Sequence, residues 1–406
     1  MRYDIHLRAG IRQQLAQLAA RMREWESGSR LDGEETERVR QSIGPLDHTL
    51  TRQELRIVGA DGSGEFPALT YGDSFVYVTL AQATLYRAET TCGLKEVGPT
   101  PAPVLEFIWL PEDESRRTES LDAAFESLAG MAIPFVIEAS DYRLLKGQES
   151  RRANTVTALR DALIRPHASD AGNLAVQLRS TAELGAALRA IAGTAVPTYV
   201  LIDGTLSLPF VSRVQSSLFH EHLKRLCCVE ARNRGVGFFA LSKSHGLPGI
   251  ESIEEIARET LGLDPGKVAE HWYLRIPIRD QDAWELSLTE GRRLPPVGAV
   301  SYLVRFHRTT PVLRLDMDVE YRRARVKGSS DEETKANERR IFEDLDYASH
   351  DQRCYGYPYP IKAGHDRASL TKAERLALRK QIIDAAVRAG MKRSLFQNAS
   401  LATGHE

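Results

Sequence analysis

Two short phrases in this chain place an acid where an acid is costly. Asp61-Gly-Ser63 follows the apolar run Ile57-Val-Gly-Ala, and Asp203-Gly-Thr205 follows Val200-Leu-Ile. A carboxylate that ends a buried strand sits at the sheet's edge, partly desolvated, and needs a counter-charge to stay ionised. A divalent cation supplies one. The glycine after each acid lets the backbone turn and leaves room for a phosphate or a metal. The hydroxyl residue after it caps a turn or binds a ligand oxygen. A lone Asp-Gly-Ser also makes an ordinary turn. Two copies, each closing a buried strand, point to chemistry.

Several phosphate chemistries are excluded by what surrounds these acids. Phosphatases of the haloacid dehalogenase type need a nucleophilic aspartate two residues earlier, where this chain has Gly59 and Leu201. An actin-like ATPase needs further glycine-rich phosphate turns, and none stands in a convincing context. Neither G-x-x-x-x-G-K-[ST] nor G-x-G-x-x-G occurs. What remains is a metal-carboxylate site of the ribonuclease H kind. There two cations about 3.5–4 Å apart activate water and stabilise the leaving oxygen of a phosphodiester. Such hard cations take oxygen ligands and keep waters, so three or four acidic or histidine side chains suffice.

The elements that would position such a site follow from the hydrophobic pattern. Leu7, Ile11, Leu15, Leu18, Met22 and Trp25 predict helix within residues 7–42. Its apolar stripe packs on its own core or on a partner. Leu55–Ala60 reads as a buried strand ending at Asp61, and Ser74–Leu80 and Val104–Leu110 read as two more. Three strands in succession predict an antiparallel meander. The pattern turns helical over 118–192, then Thr198–Ile202 reads as strand, Phe210–Arg234 as helix, Gly237–Ser242 as strand and Ile253–Leu261 as helix. That alternation predicts parallel pairing through crossovers. Strands follow at 271–278, 299–306 and 312–319. Arg322–Arg340 is a dense mixed-charge run, an exposed helix or a mobile segment, with a solvated face as the plain reading. Tyr357-Pro-Tyr-Pro predicts a turn, followed by a helix over Ser369–Ala389.

With 406 residues the chain can bury a sizeable core, and a net charge of -1 means that any nucleic-acid contact must come from a local basic patch. Cys92, Cys227, Cys228 and Cys354 form no CxxC pair, which argues against a zinc or disulfide framework. Cys227 and Cys228 lie in an apolar stretch and read as buried thiols. The opening residues show no charged segment leading into an apolar run, and no stretch reaches the ~20 apolar residues of a membrane helix. The expected location is cytoplasmic, away from a membrane.

In order along the chain, these pieces resemble the NurA nuclease family. The resemblance rests on Asp61-Gly-Ser after the first strand, a helical Arg-x-x-x-Glu before the second acid, and Asp203-Gly-Thr-Leu. Ala240-Leu-Ser-Lys243-Ser and Gly356-Tyr-Pro-Tyr-Pro-Ile-x-x-x-His365 complete it. It implies an α/β fold with a ribonuclease H-like mixed sheet flanked by helices, an N-terminal helix and added strands and helices. It divides the chain into an N-terminal helical segment, 1–45, and a nuclease domain, 46–406, with the core at about 50–265 and a strand-rich and helical part at about 266–406. It implies manganese- or magnesium-dependent DNA cleavage, as a 5'-3' exonuclease with single-strand endonuclease activity. The implied partners are DNA, a second copy and a hexameric HerA-type ATPase that processes DNA ends.

Carried over by motif, Asp61 and Asp203 are metal ligands. Glu183 of Arg179-Ser-Thr-Ala-Glu183 matches the helical glutamate, with Glu149 as the fallback. His365 matches the C-terminal histidine, which binds a metal or shuttles a proton, against the reading of a polar surface turn. Lys243 follows a buried strand and pairs with a scissile phosphate or with a site carboxylate. Phe210 stands where the family is expected to carry a tyrosine, and His245 has no assigned role. Two other readings are a DNA-end clamp or motor partner without catalysis, and a ribonuclease, since metal-carboxylate chemistry does not choose the sugar.

Overall fold

The computed structural model describes residues 5–26, 31–89, 93–98, 101–142, 171–206, 218–245, 247, 249–278, 281–289, 294–296 and 298–397. Glu149 and Phe210 lie outside them. Eleven strands of the described chain form one mixed sheet.

Its centre is a five-strand unit. The strands β2 (Arg56–Tyr71) and β3 (Ser74–Ala88) make a long antiparallel hairpin through Gly72, whose φ is +55°. Between them and β5 (Val104–Leu110) lies the short β4 (Leu94–Glu96), and β5 pairs antiparallel with β3. On the other flank, β6 (Tyr199–Asp203) and β7 (Gly237–Ser242) run parallel to β2 in turn. The order β5-β3-β2-β6-β7, with only β3 reversed, is the meander plus parallel crossovers that the ribonuclease H-like reading requires. Beyond β7 the sheet continues antiparallel through β10 (Leu313–Asp318), β9 (Ala299–Arg305), β8 (Trp272–Arg275) and β1 (Ile43–Pro45).

Both faces are covered, and strict alternation along each strand decides which side chain goes where. Val58, Ala60, Val200, Ile202, Phe238 and Ala240 enter a core shared with α3 (Glu114–Ala129), α4 (Ile133–Ala139), α5 (Ala171–Ala192) and α6 (Leu218–Asn233). Ile57, Tyr199, Leu201, Phe239 and Leu241 face the opposite way, onto α8 (Asp331–Ala348) and α9 (Tyr359–Ala368). A third cluster joins α2 (Gly33–Ser42) and α7 (Ile250–Thr260) to β8 and β9. Cys227 and Cys228 are buried free thiols, as expected.

Several expectations are corrected. The N-terminal pattern forms two helices, α1 (Ile5–Glu26) and α2, rather than one. Leu15, Leu18 and Met22 of α1 are exposed, so this core does not cover that stripe. The charged run at 322–340 is not simply a solvated face. After a π-helical turn, Arg322–Val326, helix α8 buries Ile341, Phe342 and Leu345, and Arg322 meets the buried Glu338 at 3.1 Å. The turn expected at Tyr357-Pro-Tyr-Pro is the entry to α9, followed by α10 (Lys372–Arg388). Pro358 is the N-cap and Pro360 stands in the first turn, where a missing N–H costs nothing. Among the described residues no single helix is long and apolar enough to cross a membrane.

Candidate metal-carboxylate site

Asp61 does not end its strand. It lies in the middle of β2, and Gly62 continues extended into the long hairpin. It is nevertheless desolvated, because it is buried there. Ala60 pairs with Ile202, so Asp61 and Asp203 stand one step further along neighbouring parallel strands. Side chains at matched positions of paired strands share a face, and strands lie about 4.8 Å apart, so the two carboxylates are brought side by side. Asp203 does close β6 as expected, and Gly204 leaves the sheet with φ +148°. The loop after it is tied down by the fully buried Asp316 of β10, which accepts from the Leu206 N–H at 2.9 Å and from Arg314 and Ser301.

The face that carries these acids also carries α9. This helix rests directly on β2, because Gly59 has no side chain: a Cβ there would overlap the Pro360 backbone. A Cβ added at Gly364 would likewise stand only 3.3 Å from the Asp61 N and the Gly59 O. The close seat puts His365, on a helix rather than in a surface turn, with its Nδ1 3.0 Å from Asp61 Oδ2. Its Nε2 lies 3.2 Å from Ser369 Oγ. The other Asp61 oxygen accepts from the Gly62 N–H at 2.7 Å.

Glu183 reaches the same place from the opposite face. It belongs to α5, and it passes Gly62, where an added Cβ would stand 2.8 Å from Glu183 Cγ. Gly62 therefore serves close approach rather than the sharp turn that the sequence suggests. Arg179, one helical turn earlier, meets Glu183 Oε1 at 3.4 Å. Burial, and then the charge of Asp61, push the Glu183 carboxyl up to about 8, with Asp203 adding to the rise and Arg179 opposing it. Burial also raises Asp61, against the Gly62 N–H and His365, with Asp203 again acting to raise it. Asp203 acts to raise both, and Asp61 to raise Glu183, so this buried group of acids is short of positive charge.

Lys243, just past β7, supplies part of it. Its Nζ is 3.3 Å from Asp203 Oδ2 and 4.1 Å from the centre of the Tyr357 ring. The ion pair is the carboxylate partner anticipated for this lysine, and its half-exposed side chain remains open to solvent. Tyr357 was not singled out by sequence. It is buried, and its hydroxyl is held far above its ordinary range by burial and then by Asp203 and Asp61. The signal for it was the rigid Tyr-Pro-Tyr-Pro phrase that contains it. His245 has a structural role, with Nε2 at 3.0 Å from the Val312 carbonyl. A large cleft of about 1220 Å³, lined by Tyr273, Arg275, Arg322 and Glu338 among others, lies away from these acids.

Asp61, Glu183, Asp203, His365 and Lys243, drawn from five elements or their ends, thus meet at one place. Fold and site together define a ribonuclease H-like α/β protein with a carboxylate cluster at the centre of its sheet. Among solved structures the chain is similar to the NurA nuclease from Sulfolobus solfataricus, at 13% identity, TM-score 0.46, and coverage of 94% of this chain and 96% of that one. It is also similar to a NurA bound to dAMP and manganese, at 11% identity and TM-score 0.40, covering 95% and 98% of the two chains. No family model matches the chain, and no curated protein matches it.

Proposed function

We propose that this protein is a divalent-metal-dependent deoxyribonuclease whose site consists of Asp61, Glu183, Asp203 and His365, with Lys243 at its rim. One observation carries the reading. Three carboxylates from β2, α5 and β6 are gathered at one place, where burial and the neighbouring acids raise the proton affinity of Asp61 and Glu183, an arrangement that costs stability unless a cation offsets it.

The donor set fits manganese or magnesium, since it is mostly carboxylate oxygen with a single imidazole. Asp61, Glu183, Asp203 and His365 would hold the ion. Bound there, it supplies an activated water and stabilises charge on the leaving oxygen. The chain's own residues do the rest. Asp61 keeps its orientation through the Gly62 N–H and His365. His365, half exposed, serves as a ligand or, in place of ligation, holds a proton and hands it on at the solvent side. Lys243 exchanges Asp203 for a scissile phosphate when the acid is engaged elsewhere.

The finer reading draws on the motif resemblance. It gives DNA as substrate, 5'-3' exonuclease and single-strand endonuclease action in DNA end processing, a homodimer, and a hexameric HerA-type ATPase as partner. The domain division at about residue 45 belongs to the same reading. The test is an assay on end-labelled single- and double-stranded DNA, and on RNA, with and without manganese, comparing wild type with Asp61→Ala. Manganese-dependent cleavage lost in the variant supports the proposal. Metal-independent cleavage, or full activity in the variant, overturns it. Folded wild type that cuts RNA alone points to a ribonuclease, and one that cuts nothing points to a DNA-end clamp.

A further inference from the structure

A second cluster of ligating side chains stands apart from these acids. His48 follows β1, His271 precedes β8, Asp346 is near the end of α8, and His350 opens the short strand β11 (His350–Asp351). Each offers one ligand atom, and the four atoms lie within 4.8 Å of one another. Asp346, fully buried, is the hub. Its Oδ2 is 2.7 Å from His48 Nδ1, and its Oδ1 is 2.9 Å from His271 Nδ1. The three imidazole rings crowd together, with centres 4.3 to 5.2 Å apart.

Two features distinguish this from an ordinary hydrogen-bonded carboxylate. First, His350 Nδ1 lies 2.8 Å from the Asp346 main-chain carbonyl, which can only accept, so the proton sits on Nδ1. Its Nε2 is then a bare lone pair, buried and without a hydrogen-bond partner. A main-chain carbonyl fixing one ring nitrogen while the other is left to ligate is how metal-binding histidines are commonly held. Second, His271 has φ +59°, a left-handed conformation that costs a non-glycine residue on the order of 1 kcal/mol. That backbone brings its ring to Asp346, while its carbonyl accepts from the Leu46 N–H at 2.8 Å, beside His48.

We propose that His48, His271, Asp346 and His350 form a structural transition-metal site, separate from the carboxylate cluster and selective for zinc over manganese or magnesium. Three imidazoles and one carboxylate are the donors that borderline-soft ions prefer, whereas the first cluster is built largely of hard oxygen. In a tetrahedral zinc site, bonds of about 2.0–2.1 Å separate the donors by about 3.3 Å, so side-chain shifts of about an ångström close the cage. The ion joins segments nearly 300 residues apart, since His48 and Asp346 are 298 positions distant. It also fixes the start of the stretch that runs through Tyr357 into α9 and so to His365.

The test uses full-length protein carrying Asp61→Asn and Asp203→Asn, which removes the first site's main ligands. After chelator stripping it is titrated with zinc chloride by calorimetry and with cobalt chloride by absorption. One equivalent is expected, with Kd of about 1 µM or tighter, a four-coordinate cobalt spectrum, a raised melting temperature and no competition from millimolar magnesium. His350→Gln and His48→Gln each weaken zinc binding at least about tenfold. Absence of stoichiometric uptake overturns the proposal, as does unchanged affinity in both variants. If His350→Gln fails to fold, His48→Gln decides, because His48 is on an exposed loop.

Discussion

Gly62 leaves the space that Glu183 occupies: a methyl group at residue 62 would stand 2.8 Å from Glu183 Cγ and 3.0 Å from the Leu80 carbonyl. The backbone oxygen cannot yield, so the glutamate must. Gly62→Ala is expected to cost about 1–3 kcal/mol of stability by overpacking. Because it displaces a carboxylate of the proposed site by about an ångström, it should also reduce cleavage on the order of a hundredfold. Urea denaturation and single-turnover cleavage measure the two effects. Wild-type activity in Gly62→Ala would remove Glu183 from the site.

Lys243 is half exposed, and its pair with Asp203 is a surface ion pair. Lys243→Met keeps the stem over Tyr357 and deletes the charge. Stability should change by less than about 0.5 kcal/mol, while cleavage falls about 10- to 100-fold if the ammonium meets the phosphate. An equal loss of stability and activity would assign the lysine to structure alone.

The raised carboxyl of Glu183 gives the metal-free protein a definite pH dependence. Its folded value of about 8 exceeds the ordinary 4.5. The folded state therefore holds a proton that the unfolded chain has released. The stability this contributes is complete below pH 4.5 and is lost as pH rises to about 8, by at most about 5 kcal/mol. Denaturation of chelated protein between pH 5 and pH 8.5 should show this decline, and Glu183→Gln should flatten it. A variant with the wild-type slope would refute the assignment.

A buried ion network bridges α6 to the sheet. Arg225, almost wholly buried, bonds Asp141 at 2.7 Å and Asp318 at 2.8 Å, and Arg232 shares Asp318. Arg225→Met strands carboxylates in the interior and should cost about 3–5 kcal/mol. Calorimetric melting tests this, and a change under 1 kcal/mol would contradict it. Residual activity per folded molecule should stay near wild type, since the network touches no site residue.

Local pattern made much of this protein readable. Apolar alternation around 57–60, 199–202 and 237–241 located the central strands, and the step from meander to strand-helix alternation predicted antiparallel and then parallel pairing. The acids at 61 and 203 stood out because a carboxylate after a buried run is costly wherever the chain goes. The helix α9 was hidden by its prolines and Gly364, whose helix-breaking tendency is harmless in a first turn and useful where a helix must touch a strand.

What only the tertiary structure decided is everything that depends on residues distant in sequence. The residues after Asp61 look like a turn, but pairing with β3 keeps them extended to Tyr71. That Glu183 passes through the space at Gly62, that Tyr357 underlies Lys243, and that three histidines surround Asp346 all depend on strand register and helix seating. Hydrophobic periodicity tells each residue which face it belongs to. It carries no information about which distant residue shares that face, because that choice is made by packing between segments the chain brings together only when it folds.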